Sequence, residues 1–186
     1  MFRHSQLSTK LDSAETSILS NITNIKLRKS HTATVDGTAA SMSLPFGNSL
    51  YNPHSGHNAA SGGILTTTGF NVSGDATEYF FDDDGAGNIR RYYISGSTRV
   101  YKDNAAGTII YSSGKVSINS LTLSSTSNTD STIDFTVIPD SNDVISVRNQ
   151  LLDITASEIS VTGVADTVAS GETSAGVGYT TSSSYS

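Results

Sequence analysis

A mainly β chain is predicted, an antiparallel meander or sandwich with one N-terminal α-helix and a polar C-terminal tail. Three observations carry this. Apolar residues make up 35% and charged residues 15% of the 186 positions, with Ser, Thr, Gly and Asn filling the difference. Those residues compete with the helical backbone for hydrogen bonds and suit short strands joined by turns. Runs of β-branched and aromatic residues recur from position 77 to 164, each bounded by turn residues, too closely spaced for parallel crossovers. Only one stretch has a helical period.

That stretch is residues 5–21, where Leu7, Leu11, Ala14, Ile18 and Ile22 recur at three- and four-residue intervals and share one stripe. Ser5 is the expected N-cap and Asn21 the terminator. The period then changes to two. Over 24–29, Ile25 and Leu27 alternate with Lys26 and Arg28, as in a half-buried strand. Met42, Leu44 and Phe46 suggest another strand, at an edge because of Pro45. The remainder of 32–74, including 47–57 and Gly62-Gly63, reads as loop.

Strands are expected over 78–81, 89–94, 98–101, 108–111, 116–123 and 132–138, with a last pair at 151–154 and 158–164. The turns between them are Asp84-Gly85-Ala86-Gly87-Asn88, Ser95-Gly96, Asn104-Ala105-Ala106-Gly107, Ser113-Gly114 and Ser127-Asn128. The organisation expected is therefore 1–30 helix and first strand, 31–76 loop-rich, 77–168 antiparallel β domain and 169–186 Ser/Thr/Gly-rich tail. Tail composition is too poor in apolar groups to order alone.

Charge and motifs narrow the function classes. Eleven basic against seventeen acidic residues give −6, with no Lys/Arg run to track a phosphate backbone, so nucleic acid is not an expected partner. No apolar run approaches the ~20 residues of a membrane span, and the first residues lack the apolar core of a signal peptide. Absence of Cys removes disulfides, thiolate metal sites and a Cys nucleophile.

Asp82-Asp83-Asp84 before the Gly-rich turn could wrap a calcium ion, but no acidic residue follows at an EF-hand's last ligand position. A hairpin turn, with Arg90 and Arg91 neutralising the carboxylates, accounts for it better. His54-Ser55-Gly56-His57 offers two imidazoles on a loop with nothing evident to fix the rings and no third ligand, a weak zinc signal. No cofactor is expected. There is no Gly-x-Ser-x-Gly elbow, P-loop or dinucleotide fingerprint, so no enzyme is expected. Tyr79, Tyr92, Tyr93, Tyr101 and Tyr111 could stack on sugar, although cross-strand pairing explains such rings more simply.

Four segments in order resemble a known family. They are Arg3-His4-Ser5-Gln6-Leu7 with the following helix; Phe81-Asp82-Asp83-Asp84-Gly85-Ala86-Gly87-Asn88-Ile89-Arg90; Ala106-Gly107-Thr108-Ile109-Ile110-Tyr111-Ser112-Ser113-Gly114-Lys115-Val116; and Asp143-Val144-Ile145-Ser146-Val147-Arg148-Asn149-Gln150-Leu151-Leu152. Together they resemble the C-terminal region of the inner-ring baseplate wedge subunit of T-even-type contractile-tailed phages, the cyanophage versions above all, over roughly residues 3–164. The resemblance implies a virion protein, assembled in the host cytoplasm. It would pair with itself as a dimer or ring and contact other wedge and hub proteins around the tail hub. That family's chains are much longer, so a truncated, split or trimmed form is expected. Expected interface residues are Leu7, Leu11 and Ile18 on the helix and Arg148, Asn149 and Gln150 beside the late strand. The alternative is a tail-fibre or adhesin-like carbohydrate-binding module; a hydrolase has least support.

Overall fold

The computed structural model describes residues 3–16, 18–57, 63–145, 157 and 159–164. It divides into two units, Met1–Leu151 and Leu152–Ser186. The first is mainly β, as the composition predicts. Its elements are helix α1 (His4–Asp12) and strands β1 (Leu27–Thr32), β2 (Ala40–Pro45), β3 (Thr66–Thr67), β4 (Phe70–Val72), β5 (Glu78–Asp83), β6 (Asn88–Ser95), β7 (Thr98–Ile110), β8 (Lys115–Leu121), β9 (Leu123–Thr126) and β10 (Thr132–Val137). Every pairing between strands is antiparallel.

Seven strands form one sheet in the order β2-β8-β7-β6-β5-β4-β9, and β1-β10-β3 form a second. Thr122 alone separates β8 from β9, yet these strands lie towards opposite ends of the larger sheet. A single residue reaches no more than ~3.5 Å, so the sheet must curl until its ends approach. The result is a half-barrel.

The concave side is the core. Phe70 stacks on Phe81 at 4.6 Å and Phe81 on Phe135 at 6.3 Å, which joins the two sheets through three fully buried rings. Alternation places the partners: Met42 and Leu44 from β2, Ile133, Phe135 and Val137 from β10. Pro45 sits on edge strand β2, where its missing N–H costs no ladder bond.

Several expectations are corrected. Helix α1 ends at Asp12, nine residues after its N-cap Arg3, rather than running from a Ser5 cap to Asn21. Asp12 and Ser13 are weak helix formers that bond locally, and Asn21 folds back to donate to the Ser8 carbonyl at 3.2 Å and to Asp12 Oδ1 at 2.6 Å. Ile18 therefore lies outside the helix. The strand expected over 24–29 pairs from Leu27 to Thr32, with Ile25 half-buried just before it.

The edge strand expected around Met42, Leu44 and Phe46 forms as β2, but the rest of the segment read as loop supplies β3 and β4 and buries Leu50, Ile64, Leu65 and Phe70. The turn expected at 104–107 is instead inside β7: Ile89 pairs with Gly107 but Arg91 with Asp103, so the extra residues bulge out of one long strand. Asp103 Oδ1 accepts the Ala105 N–H at 2.9 Å within that bulge. The run 116–123 is two strands rather than one, broken at Thr122. Residues 159–164 are not in a strand, and 151–154 and the tail lie outside the described residues.

Candidate functional site

The acidic turn resolves into three carboxylates with three different tasks. Hairpin β5–β6 pairs Asp82 with Arg90 and Asp83 with Ile89, so alternation sends Asp82 to the convex face and Asp83 to the core. Asp82 is fully buried between Arg90 Nε at 2.9 Å, Arg99 Nη1 at 2.7 Å and the Tyr101 hydroxyl at 2.9 Å. The Arg90 guanidinium lies 4.2 Å from the Tyr101 ring centre and that of Arg99 4.6 Å from Tyr92. Burial pushes the Asp82 carboxyl up, against the pull of Arg90, Tyr101 and Arg99.

Asp83 Oδ1 accepts the backbone N–H of Ile64 at 2.7 Å and of Leu65 at 2.8 Å, and Oδ2 accepts the Tyr111 hydroxyl at 2.6 Å. The chain must pass this carboxylate so closely that a Cβ at Gly63 would lie 1.9 Å from Asp83 Oδ1. Burial and the bond to Asp83 push the Tyr111 phenol up. Asp84 closes the turn, accepting from the Ala86 N–H at 2.7 Å, the Asn88 N–H at 2.9 Å and Asn88 Nδ2 at 2.6 Å. Its burial is outweighed by these bonds, which hold its carboxyl below the usual range.

The three groups thus diverge, and among the described residues no three His, Cys, Asp or Glu side chains converge for a metal ion. Arg90 neutralises Asp82 as expected, whereas Arg91 lies across the Tyr79 ring at 5.0 Å. The role of Arg99 was not anticipated. Its signal was the two-residue turn Gly96-Ser97, which puts Tyr92 opposite Tyr101 and Arg99 opposite Ile94.

The tyrosines do not form an open stripe. Tyr79 and Tyr92 are buried, Tyr93 and Tyr111 pack on the core, and Arg90 covers Tyr101. A shallow groove of about 520 Å³ beside β1 and β10 has polar walls, including Arg28, Asp130 and Asp134. Both carboxylates there are engaged, Asp130 with Thr132 and Asp134 with Ser30 and Asn128.

The N-terminal arm differs from the rest. No residue of α1 is buried. Leu7 is half-buried, while Leu11 and Ile18 are exposed at 39% and 38%, Leu19 at 65% and Ile22 at 93%. Polar bonds hold the arm: the His4 N–H donates to Asp143 Oδ1 at 2.8 Å, and its ring Nε2 meets the Thr23 carbonyl at 3.0 Å. Arg148, Asn149 and Gln150 lie outside the described residues. No protein-family model, curated protein or solved structure matches this chain.

Proposed function

We propose that this chain is a structural subunit that works through contacts with further copies of itself and with neighbouring proteins, in the inner ring of a contractile-tail baseplate. The observation that carries an assembly role is the arm: four large aliphatic side chains, at positions 11, 18, 19 and 22, face outward on a segment folded on itself by the His4–Thr23 contact and anchored by the His4 N–H on Asp143. Aliphatic side chains gathered on one short segment mark an interaction surface more often than singly scattered ones do. The baseplate setting rests on the resemblance of the four segments named above.

The carbohydrate alternative loses its main support, because stacking on sugar needs an open ring face and the five tyrosines are buried, packed or covered. Light scattering of the purified chain across a dilution series tests the proposal. A dimer or larger species that dissociates on dilution, and is lost in Leu11→Asp, is the expected result. Self-association unchanged by Leu11→Asp would remove the arm from the interface. A strict monomer at high concentration would overturn self-pairing.

A further inference from the structure

The loop between β2 and β3 carries two imidazoles whose nitrogens are already at chelating distance. His57 Nδ1 lies 3.0 Å from His54 Nε2, with the ring centres 4.7 Å apart and the planes nearly perpendicular at 87°. His54 Nδ1 meets the Ser55 carbonyl at 3.3 Å. Both contacts are satisfied when His54 is protonated at Nδ1, so that its Nε2 offers a lone pair. A backbone carbonyl is one of the partners that commonly fix the far ring nitrogen of a metal-binding imidazole.

Long-range hydrogen bonds hold the loop, although its composition reads as flexible. The Gly56 N–H donates to the Gly85 carbonyl at 2.9 Å and Asn52 Nδ2 donates to the same oxygen at 3.2 Å. The His57 N–H closes a turn on the His54 carbonyl at 3.1 Å, and the Leu50 and Tyr51 N–H groups bond to Tyr111 and Ile138. The Tyr51 and His57 rings meet nearly perpendicular, with centres 5.7 Å apart. Both histidines are exposed, leaving further coordination positions open to water.

From this geometry we propose that His54 Nε2 and His57 Nδ1 form a two-imidazole chelate for a transition-metal dication that prefers right-angle ligands, copper(II) or nickel(II). With metal–nitrogen bonds of about 2.0–2.1 Å, cis ligands at a right angle lie ~2.9 Å apart and tetrahedral ones ~3.4 Å. The 3.0 Å spacing, set here by the hydrogen bond between the two rings, lies nearest the first, the geometry of copper(II) and nickel(II) with nitrogen and oxygen ligands, so the nitrogens need little separation to take such an ion. On binding, His57 releases its Nδ1 proton to solvent water and takes one from solvent at its exposed Nε2, so the ring stays neutral and its Nδ1 lone pair becomes free for the metal. Two protein ligands make a site of modest affinity, completed by water.

Isothermal titration of the full chain with Ni²⁺ alone as probe tests this. One Ni²⁺ per chain is expected, with His54→Gln and His57→Gln each weakening binding at least about tenfold, the least that losing even a supporting group costs a metal site. His4→Gln and His31→Gln should leave binding unchanged, and all four variants should keep the wild-type unfolding midpoint. Absence of binding, binding retained in either loop variant, or binding lost in His4→Gln or His31→Gln overturns the proposal.

Discussion

Asp82, Asp83 and Asp84 are consecutive, yet their surroundings make them unequal in energy. Removing a partner from a buried ion pair leaves the opposite charge uncompensated, at a cost of about 3 kcal/mol or more. Asp82→Ala strips Arg90 and Arg99 of their shared carboxylate. Asp83→Ala orphans two backbone N–H groups and the Tyr111 hydroxyl, also about 3 kcal/mol at ~1 kcal/mol per donor. Asp84→Ala loses only bonds at an exposed turn, about 1 kcal/mol. Urea unfolding of the three variants should therefore rank Asp82 and Asp83 well above Asp84; equal costs would contradict the divided roles. Asp75 supplies a pH test at the same scale. The Tyr79 hydroxyl at 2.6 Å and Thr77 hold its carboxyl down at about 2. A depressed folded value stabilises above the unfolded value near 4 and is lost as pH falls towards 2. The difference in melting temperature between wild type and Asp75→Asn should accordingly shrink across that window. A difference that stays constant down to pH 2 would mean that Asp75 does not titrate in this bonded state.

At the scale of elements, strand β7 shows how a partner overrides local turn chemistry. Asn104-Ala105-Ala106-Gly107 has turn composition, but β6 pairs with β7 both before and after it and β8 pairs from Gly107 onward, and the β6–β7 ladder absorbs the excess as a bulge. Gly107 is what lets β7 lie so close to β8: a Cβ there would meet the Ser117 carbonyl oxygen at 2.2 Å. Gly107→Ala should push the strands apart and cost about 2 kcal/mol, as overpacking does, measurable as a lowered urea midpoint; a neutral outcome would mean the ladder shifts freely there. The same contrast explains what was legible in the sequence. Strands whose alternation is set by their own residues, such as Met42-Leu44 and Ile133-Phe135-Val137, could be read directly. β3 and β4 could not, because at two and three residues they owe their pairing to β10, β5 and β9. Helix α1 failed in the opposite sense. Its apolar spacing continued to Ile22, but no core face existed to sustain the helix past Asp12. Of the candidate site residues, Asp82 and Arg90 were readable as a hairpin pair, while the pairing of His54 with His57 depended on a distant carbonyl, Gly85, that only the fold brings close.

For the whole molecule, the arm and the half-barrel have separate energetic roots. The half-barrel is fixed by the Phe70–Phe81–Phe135 stack and by strand β8 passing through Thr122 into β9, neither of which involves residues before β1. The arm contributes no buried residue from α1 and leaves its aliphatic side chains outward. Deleting residues 1–23, which stops short of half-buried Ile25 and of β1, should thus lower the melting temperature by no more than about 8 °C, the upper end of the shift for losing roughly 1–2 kcal/mol from a domain of this size. Under the assembly proposal the same deletion abolishes self-association. The two readouts separate the possibilities: a truncated chain that stays folded and becomes monomeric assigns the arm to assembly. One that unfolds would show that the arm packs on the half-barrel, and one that stays folded and still associates would move the interface to the sheet edges, where β2, β9, β1 and β3 end their sheets.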